Sequence, residues 1–120
     1  MAPFPKHLAG EAFAYLTTTG RRTGRAREIE IWFALDDGGA TVHVMSGAPS
    51  RAGWVHNLRA DPAATVRVAG ERRDVRAEGL GDGGEEDARA RDLLVAKYGR
   101  DGSLDGWRAR GLPVALRVGP

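Results

Sequence analysis

The stretch TTTGRRTGRAREIEIWF, Thr17–Phe33, decides how this chain is read. Its first half places Arg21, Arg22, Arg25 and Arg27 within seven residues and without an acid. Its second half alternates. Ile29, Ile31, Phe33 and then Leu35 fall on one face, and Glu28, Glu30, Trp32 and Ala34 on the other. A period of two marks a half-buried strand, because successive side chains of an extended backbone point to opposite sides. The spacing therefore predicts one strand over residues 27–35. Upstream, AFAYLTTT (residues 12–19) is a β-rich run that ends at Gly20, which makes the arginine stretch the connection between the first two strands.

Reading outward, DDGG at residues 36–39 is a turn, and ATVHVMS (40–46) resumes the alternation with Val42 and Val44, predicting a hairpin. A second hairpin is expected from AATVRV (63–68), the turn AGE, and RRDVRAEGL (72–80), where Val75 and Ala77 alternate with Asp74, Arg76 and Glu78. PVALRV (113–118) is the last strand, with Val114, Leu116 and Val118 on one side. Two helices interrupt the strands. Ser50 is placed to cap a short one through RAGWVHNLRA (51–60), with Trp54 and Leu58 at i and i+4, and Asp61–Pro62 ends it. The other opens after GDGG with three acids in its first turn, where the helix dipole favours them. It carries Ala90, Leu93, Leu94 and Tyr98 on one stripe and stops at Gly99. Six short strands, mostly in hairpins, with these helices predict a mainly β fold, a small antiparallel barrel with helical insertions. Edge strands of such a barrel need covering, and a homodimer is a common way to cover them.

A chain of 120 residues, 42% apolar and 28% charged, reads as a single domain over residues 1–120 with one core. The absence of cysteine excludes disulfide and thiol chemistry. No apolar run suits a signal peptide or an integral membrane segment, so a cytoplasmic protein is expected. A net charge of +2 gives no argument for nucleic acid, and aromatic residues do not interleave with the basic stretch as a stacking platform requires. The distribution of charge says more than its sum. Residues 16–27 are locally cationic, whereas Glu78, Asp82, Glu85, Glu86, Asp87 and Asp92 face only Arg89 and Arg91, so an anionic ligand has a preferred address.

Gly20 and Gly24 bracket the arginine loop, and arginine forks bind phosphate or carboxylate bidentately. The loop suits such a ligand; the alternative is a solvated basic turn. It is neither a Walker loop nor a dinucleotide fingerprint. In VMSGAPSRAGWVHNL (44–58), Ser46 and Gly47 stand where a strand ends and Gly53 precedes Trp54, so backbone amides there are placed to meet a planar ligand. Ser46 lacks a nucleophile elbow and is read as a hydrogen-bond donor. Trp54 is either core or cofactor contact, and Trp32 either an interface residue or a pocket wall. His7, His43 and His56 lack metal-ligand spacing, and no metal site is expected.

YLTTTGRRTGRAREIEIWF, then VMSGAPSRAGWVHNLRADPAATVRV, and a late tyrosine, tryptophan and PVALRV together resemble the deazaflavin-dependent nitroreductase family of split β-barrel proteins, from about Phe13 to Val118. The resemblance implies a six- to seven-stranded antiparallel split β-barrel, similar to the FMN-binding pyridoxamine phosphate oxidase relatives. It implies use of coenzyme F-420, a reduced 8-hydroxy-5-deazaflavin that donates hydride to an electron-poor small-molecule acceptor such as a quinone, an enone or a nitro compound. Carried over to this chain, it implies that Arg21, Arg22, Thr23 and Arg27 hold the cofactor's phosphate and glutamate tail. Ser46 and Gly47 then lie near the reactive edge of the ring, Trp54 and Asn57 build the wall behind it, and Trp32 takes the position of an aromatic that faces substrate. The chain departs from the family in having Arg22 where lysine is usual, Ala52 and Gly53 where proline precedes the tryptophan, a short segment from Ser46 to Trp54, and little N-terminal extension. An FMN-dependent oxidoreductase on the same barrel, and a cofactor carrier without turnover, are the alternatives.

Overall fold

The alternation that starts at Arg27 does not continue as one strand. In a computed structural model that describes residues 2–46, 53–80, 83–99 and 111–119, it breaks at Trp32–Phe33 into β2 (Ala26–Ile31) and β3 (Ala34–Asp36). The other elements are β1 (Ala14–Thr19), β4 (Thr41–Ser46), α1 (Gly53–Ala60), β5 (Ala63–Val68), β6 (Glu71–Leu80), α2 (Glu85–Tyr98) and β7 (Leu112–Val118). The seven strands form one antiparallel sheet in the order β2-β1-β5-β6-β7-β4-β3. β2 and β3 occupy its opposite edges, yet only two residues separate them. Three virtual bonds of 3.8 Å span at most about 11 Å, so the sheet must curl until its edges meet at this seam. The expected single strand over residues 27–35 is thus corrected: closure requires the chain to leave one edge and join the other.

Facing survives the break. Ile29, Ile31, Phe33 and Leu35 all pack against the main core, with Leu16, Val44, Val66 and Leu116 among its buried members. Ala34, on the other face, joins Met45 and Leu94 in a small second cluster under α2. A bulge between Ala77 and Leu80 absorbs a change of parity in β6, so both side chains reach the core. α2 packs against β7, β4 and β3, and α1 against β1 and β6.

Residues ahead of β1, which sequence reading left without a structural role, also belong to the core. Phe4 and Leu8 are buried, and the Phe4 N–H donates to the Gly39 carbonyl at 3.0 Å. Gly39 has φ +94, and a Cβ there would lie 2.0 Å from the Phe4 carbonyl oxygen, so the turn after β3 admits only glycine at this point. α2 ends as expected, with the Gly99 N–H donating to the Val95 carbonyl. The expected cap Ser50 lies outside the described residues. Among the described residues, no helix is long and apolar enough to cross a membrane.

Candidate functional site

The arginine connection is a closed turn. The Gly20 N–H donates to the Arg25 carbonyl and the Gly24 N–H to the Gly20 carbonyl, both at 2.8 Å, and the Arg25 N–H reaches the Thr23 hydroxyl at 3.3 Å. Gly24 takes the left-handed conformation, φ +71, that reverses the chain. A Cβ on Gly20 would lie 3.1 Å from the Arg25 carbonyl oxygen and 3.6 Å from Arg27 Nε, so a side chain there would crowd the turn.

Against this turn stands α1. Between them is a cavity of about 440 Å³ lined by Thr18, Gly20, Arg21, Arg22, Thr23, Arg27, Ile29, Gly53, Trp54 and Asn57. The alternation of β2 sorts charge about it. Arg27 and Ile29 face the cavity, whereas Glu28 and Glu30 point outward, toward Arg67 at 3.6 Å and the Tyr15 hydroxyl at 3.1 Å. The acids of this strand thus cannot cancel its arginines at the cavity. No acid stands among the described lining residues. Asn57, buried in α1, accepts from the Arg21 backbone N–H at 3.2 Å and from Arg21 Nη1 at 3.0 Å, and donates to the Thr18 hydroxyl at 3.1 Å.

Six of the residues proposed from the sequence therefore come together here: Arg21, Arg22, Thr23, Arg27, Trp54 and Asn57. Gly20 and Gly53, expected from the sequence to let the backbone approach a ligand, also line it, whereas Thr18 and Ile29 carry no such expectation. The signal for Thr18 and Ile29 was in the alternation itself, since both share a face with core residues. Ser46 is buried at the end of β4, opposite Leu112, and is not among the cavity's described lining residues. Gly47 lies outside the described residues. Trp32 falls on the outward parity of β2, at the seam, and stacks on Tyr98 with centroids 4.3 Å apart and planes at 2°. It is 36% exposed and does not line the cavity.

Two further clusters lie outside the cavity. At the seam, the Tyr98 hydroxyl accepts from the Phe33 N–H at 3.1 Å and donates toward the Ala12 carbonyl at 2.8 Å. Lys97 Nζ donates to the Phe33 carbonyl at 3.0 Å and sits 3.7 Å from the Phe33 ring centroid. Burial pulls the Lys97 ammonium down to about 8, and pushes the Tyr98 phenol up. Under α2, Asp36 takes a bidentate bond from Arg89 and lies 3.0 Å from His43 Nε2, while His43 Nδ1 is buried without a partner among the described residues. The Arg89 guanidinium holds the Asp36 carboxyl well below the usual carboxylate range, against burial that acts the other way. No group of three metal-ligating side chains occurs among the described residues.

A curled antiparallel sheet of this order, with its two helices, is a split β-barrel. Solved structures share the fold. One, an F420-H2 dependent reductase, is 21% identical with TM-score 0.70, covering 98% of each chain. A FAD-binding protein from Mesorhizobium loti is 19% identical with TM-score 0.68, covering 94% of this chain and 83% of that one. A domain-swapped dimer is 23% identical with TM-score 0.71, covering 88% and 79%. At such identities the likeness concerns the fold alone. The family model for F420H(2)-dependent quinone reductase matches residues 2–118. The chain belongs to that family: it is a reductase whose coenzyme is reduced F-420.

Proposed function

We propose that this protein binds the anionic part of coenzyme F-420 in the cavity between the arginine turn and α1, and uses the coenzyme to reduce an electron-poor acceptor of the quinone, enone or nitro class. The observation that carries the reading is the charge of that cavity: Arg22 and Arg27 line it, with no acid among the described lining residues. The residues present fit the group. Arginine and a threonine hydroxyl are donors for phosphate and carboxylate, and Ile29 and Trp54 supply an apolar wall toward a ring. When bound, the reduced deazaflavin supplies hydride. The protein's own work is to bind, orient and exclude water. Ser46, buried at the C-terminal end of β4, is the proposed hydrogen-bond donor to ring or acceptor, and the Trp32–Tyr98 stack a proposed aromatic wall for the acceptor.

Each charge-assisted hydrogen bond contributes about 1.5–3 kcal/mol. Two would supply about 3–6 of the roughly 8 kcal/mol of micromolar binding, leaving the remainder to ring contacts. The test is equilibrium binding of F-420 and of FMN at low and high salt, with Arg22→Gln and Arg27→Gln. Salt-sensitive binding of F-420 that weakens about tenfold or more in each variant is expected. Affinity indifferent to salt and to both substitutions would overturn the assignment.

A further inference from the structure

The three arginines that line the cavity are not equivalent. Arg21 is engaged by the fold. Its backbone N–H and its Nη1 both go to Asn57 Oδ1, and Nη1 also approaches the Gly53 carbonyl at 3.5 Å. No hydrogen bond or ion pair to another described residue engages the side chain of Arg22 or Arg27. Asn57 is 5% exposed, and its Nδ2 goes to the hydroxyl of Thr18, itself 2% exposed on β1. One carboxamide therefore ties the helix, the first strand and the first residue of the arginine turn.

The side-chain type is the one the site requires. A carboxamide both accepts and donates. An aspartate could accept from both Arg21 and the Thr18 hydroxyl, but would place a negative charge beside the cavity. A leucine would leave the Arg21 N–H and the Thr18 hydroxyl without partners in a buried setting. The turn's other bonds, Gly20 to Arg25, Gly24 to Gly20 and Arg25 to Thr23, are internal to it. Its hold on α1 therefore passes through Arg21.

We propose that Asn57 is a positioning residue: it commits Arg21 to fixing the turn against α1, and so leaves Arg22 and Arg27 as the two cations offered to the coenzyme's anionic groups. This division of labour rests on the cofactor site proposed above and refines it. It reassigns Asn57 from a wall of the ring pocket to the support of the arginine turn. Arg21 becomes a structural donor whose charge is secondary.

The decisive comparison is Arg21→Gln against Arg22→Gln and Arg27→Gln, because glutamine removes the charge while the backbone N–H at position 21 keeps its bond to Asn57. Arg21→Gln is expected to change F-420 affinity by no more than about threefold and to keep its salt dependence. The other two should each weaken binding by about tenfold or more and flatten the salt dependence. In the coenzyme-free protein, Asn57→Ala should speed hydrogen exchange at the Arg21 amide by about tenfold or more, since it removes that amide's acceptor. An Arg21→Gln variant as impaired and as salt-insensitive as Arg22→Gln overturns the proposal, as does an unchanged Arg21 amide in Asn57→Ala. Should Asn57→Ala fail to fold, Arg21→Gln decides alone. If Arg22→Gln and Arg27→Gln leave binding untouched, the cofactor reading fails, while amide exchange still reports on Asn57's hold on the turn.

Discussion

Gly24 and Lys97 show at the level of single residues how local chemistry serves the site. Gly24 adopts φ +71 with open space about it, so Gly24→Ala meets no neighbour and pays only the left-handed backbone cost. That substitution should lower stability by about 1 kcal/mol in urea unfolding and weaken F-420 binding as the turn loosens. Lys97 responds to pH instead. Burial in the fold brings it down to about 8 from the ordinary lysine value of 10.5. Between those values the unfolded chain holds more protons, so this group makes stability rise with pH across that window. Partial exposure screens the effect to about 1 kcal/mol. Urea midpoints from pH 8 to 10 should rise in the native protein relative to Lys97→Met; parallel curves would show that Lys97 titrates normally.

α2 is an element held as much by polar contacts as by apolar ones. Only Ala90 and Leu94 are buried on its stripe, and its first half docks through Arg89 on Asp36 and Glu86 on Arg117. Asp36 lies inside this contact with 7% of its side chain exposed, while Arg89 remains 63% exposed. Asp36→Asn should therefore destabilise the fold by about 2 kcal/mol, below the full cost of breaking a buried pair because Arg89 can turn to water. Asp36 has its pKa depressed by folding, so its contribution is complete above the ordinary value of 3.8 and is lost only as pH falls below it. The gap between native and Asp36→Asn unfolding midpoints should be constant from pH 5 to 7 by the same linkage, and narrow in stronger acid. A gap that persists unchanged into acid would remove Asp36 ionisation from α2 docking.

For the whole molecule, the seam at Trp32–Phe33 is the point where an open sheet becomes a closed one. Phe33 is fully buried there, and its backbone N–H and carbonyl are both satisfied from α2, by Tyr98 and Lys97. Phe33→Ala should cost about 3–5 kcal/mol, read as a loss of cooperative thermal unfolding, because it opens a cavity and loosens the join at once. The sequence by itself determined which residues face inward. Alternation in residues 27–35, in PVALRV and in RRDVRAEGL as far as Ala77 marks the core correctly, since a period of two is a property of extended backbone wherever the strand is placed. It also determined the arginine turn, because glycine conformations and local hydrogen bonds lie within a few residues of one another. Six candidate cavity residues were legible for that reason. What only the tertiary structure decided is how distant parts meet. The break of one alternating run into opposite sheet edges follows from closure of the whole sheet, and the burial of Phe4 depends on the turn at Gly39, 35 residues away. The engagement of Arg21 by Asn57 spans 36 residues and the stacking of Trp32 on Tyr98 spans 66. Such pairings depend on the curvature and register of seven strands together, and no local pattern encodes them.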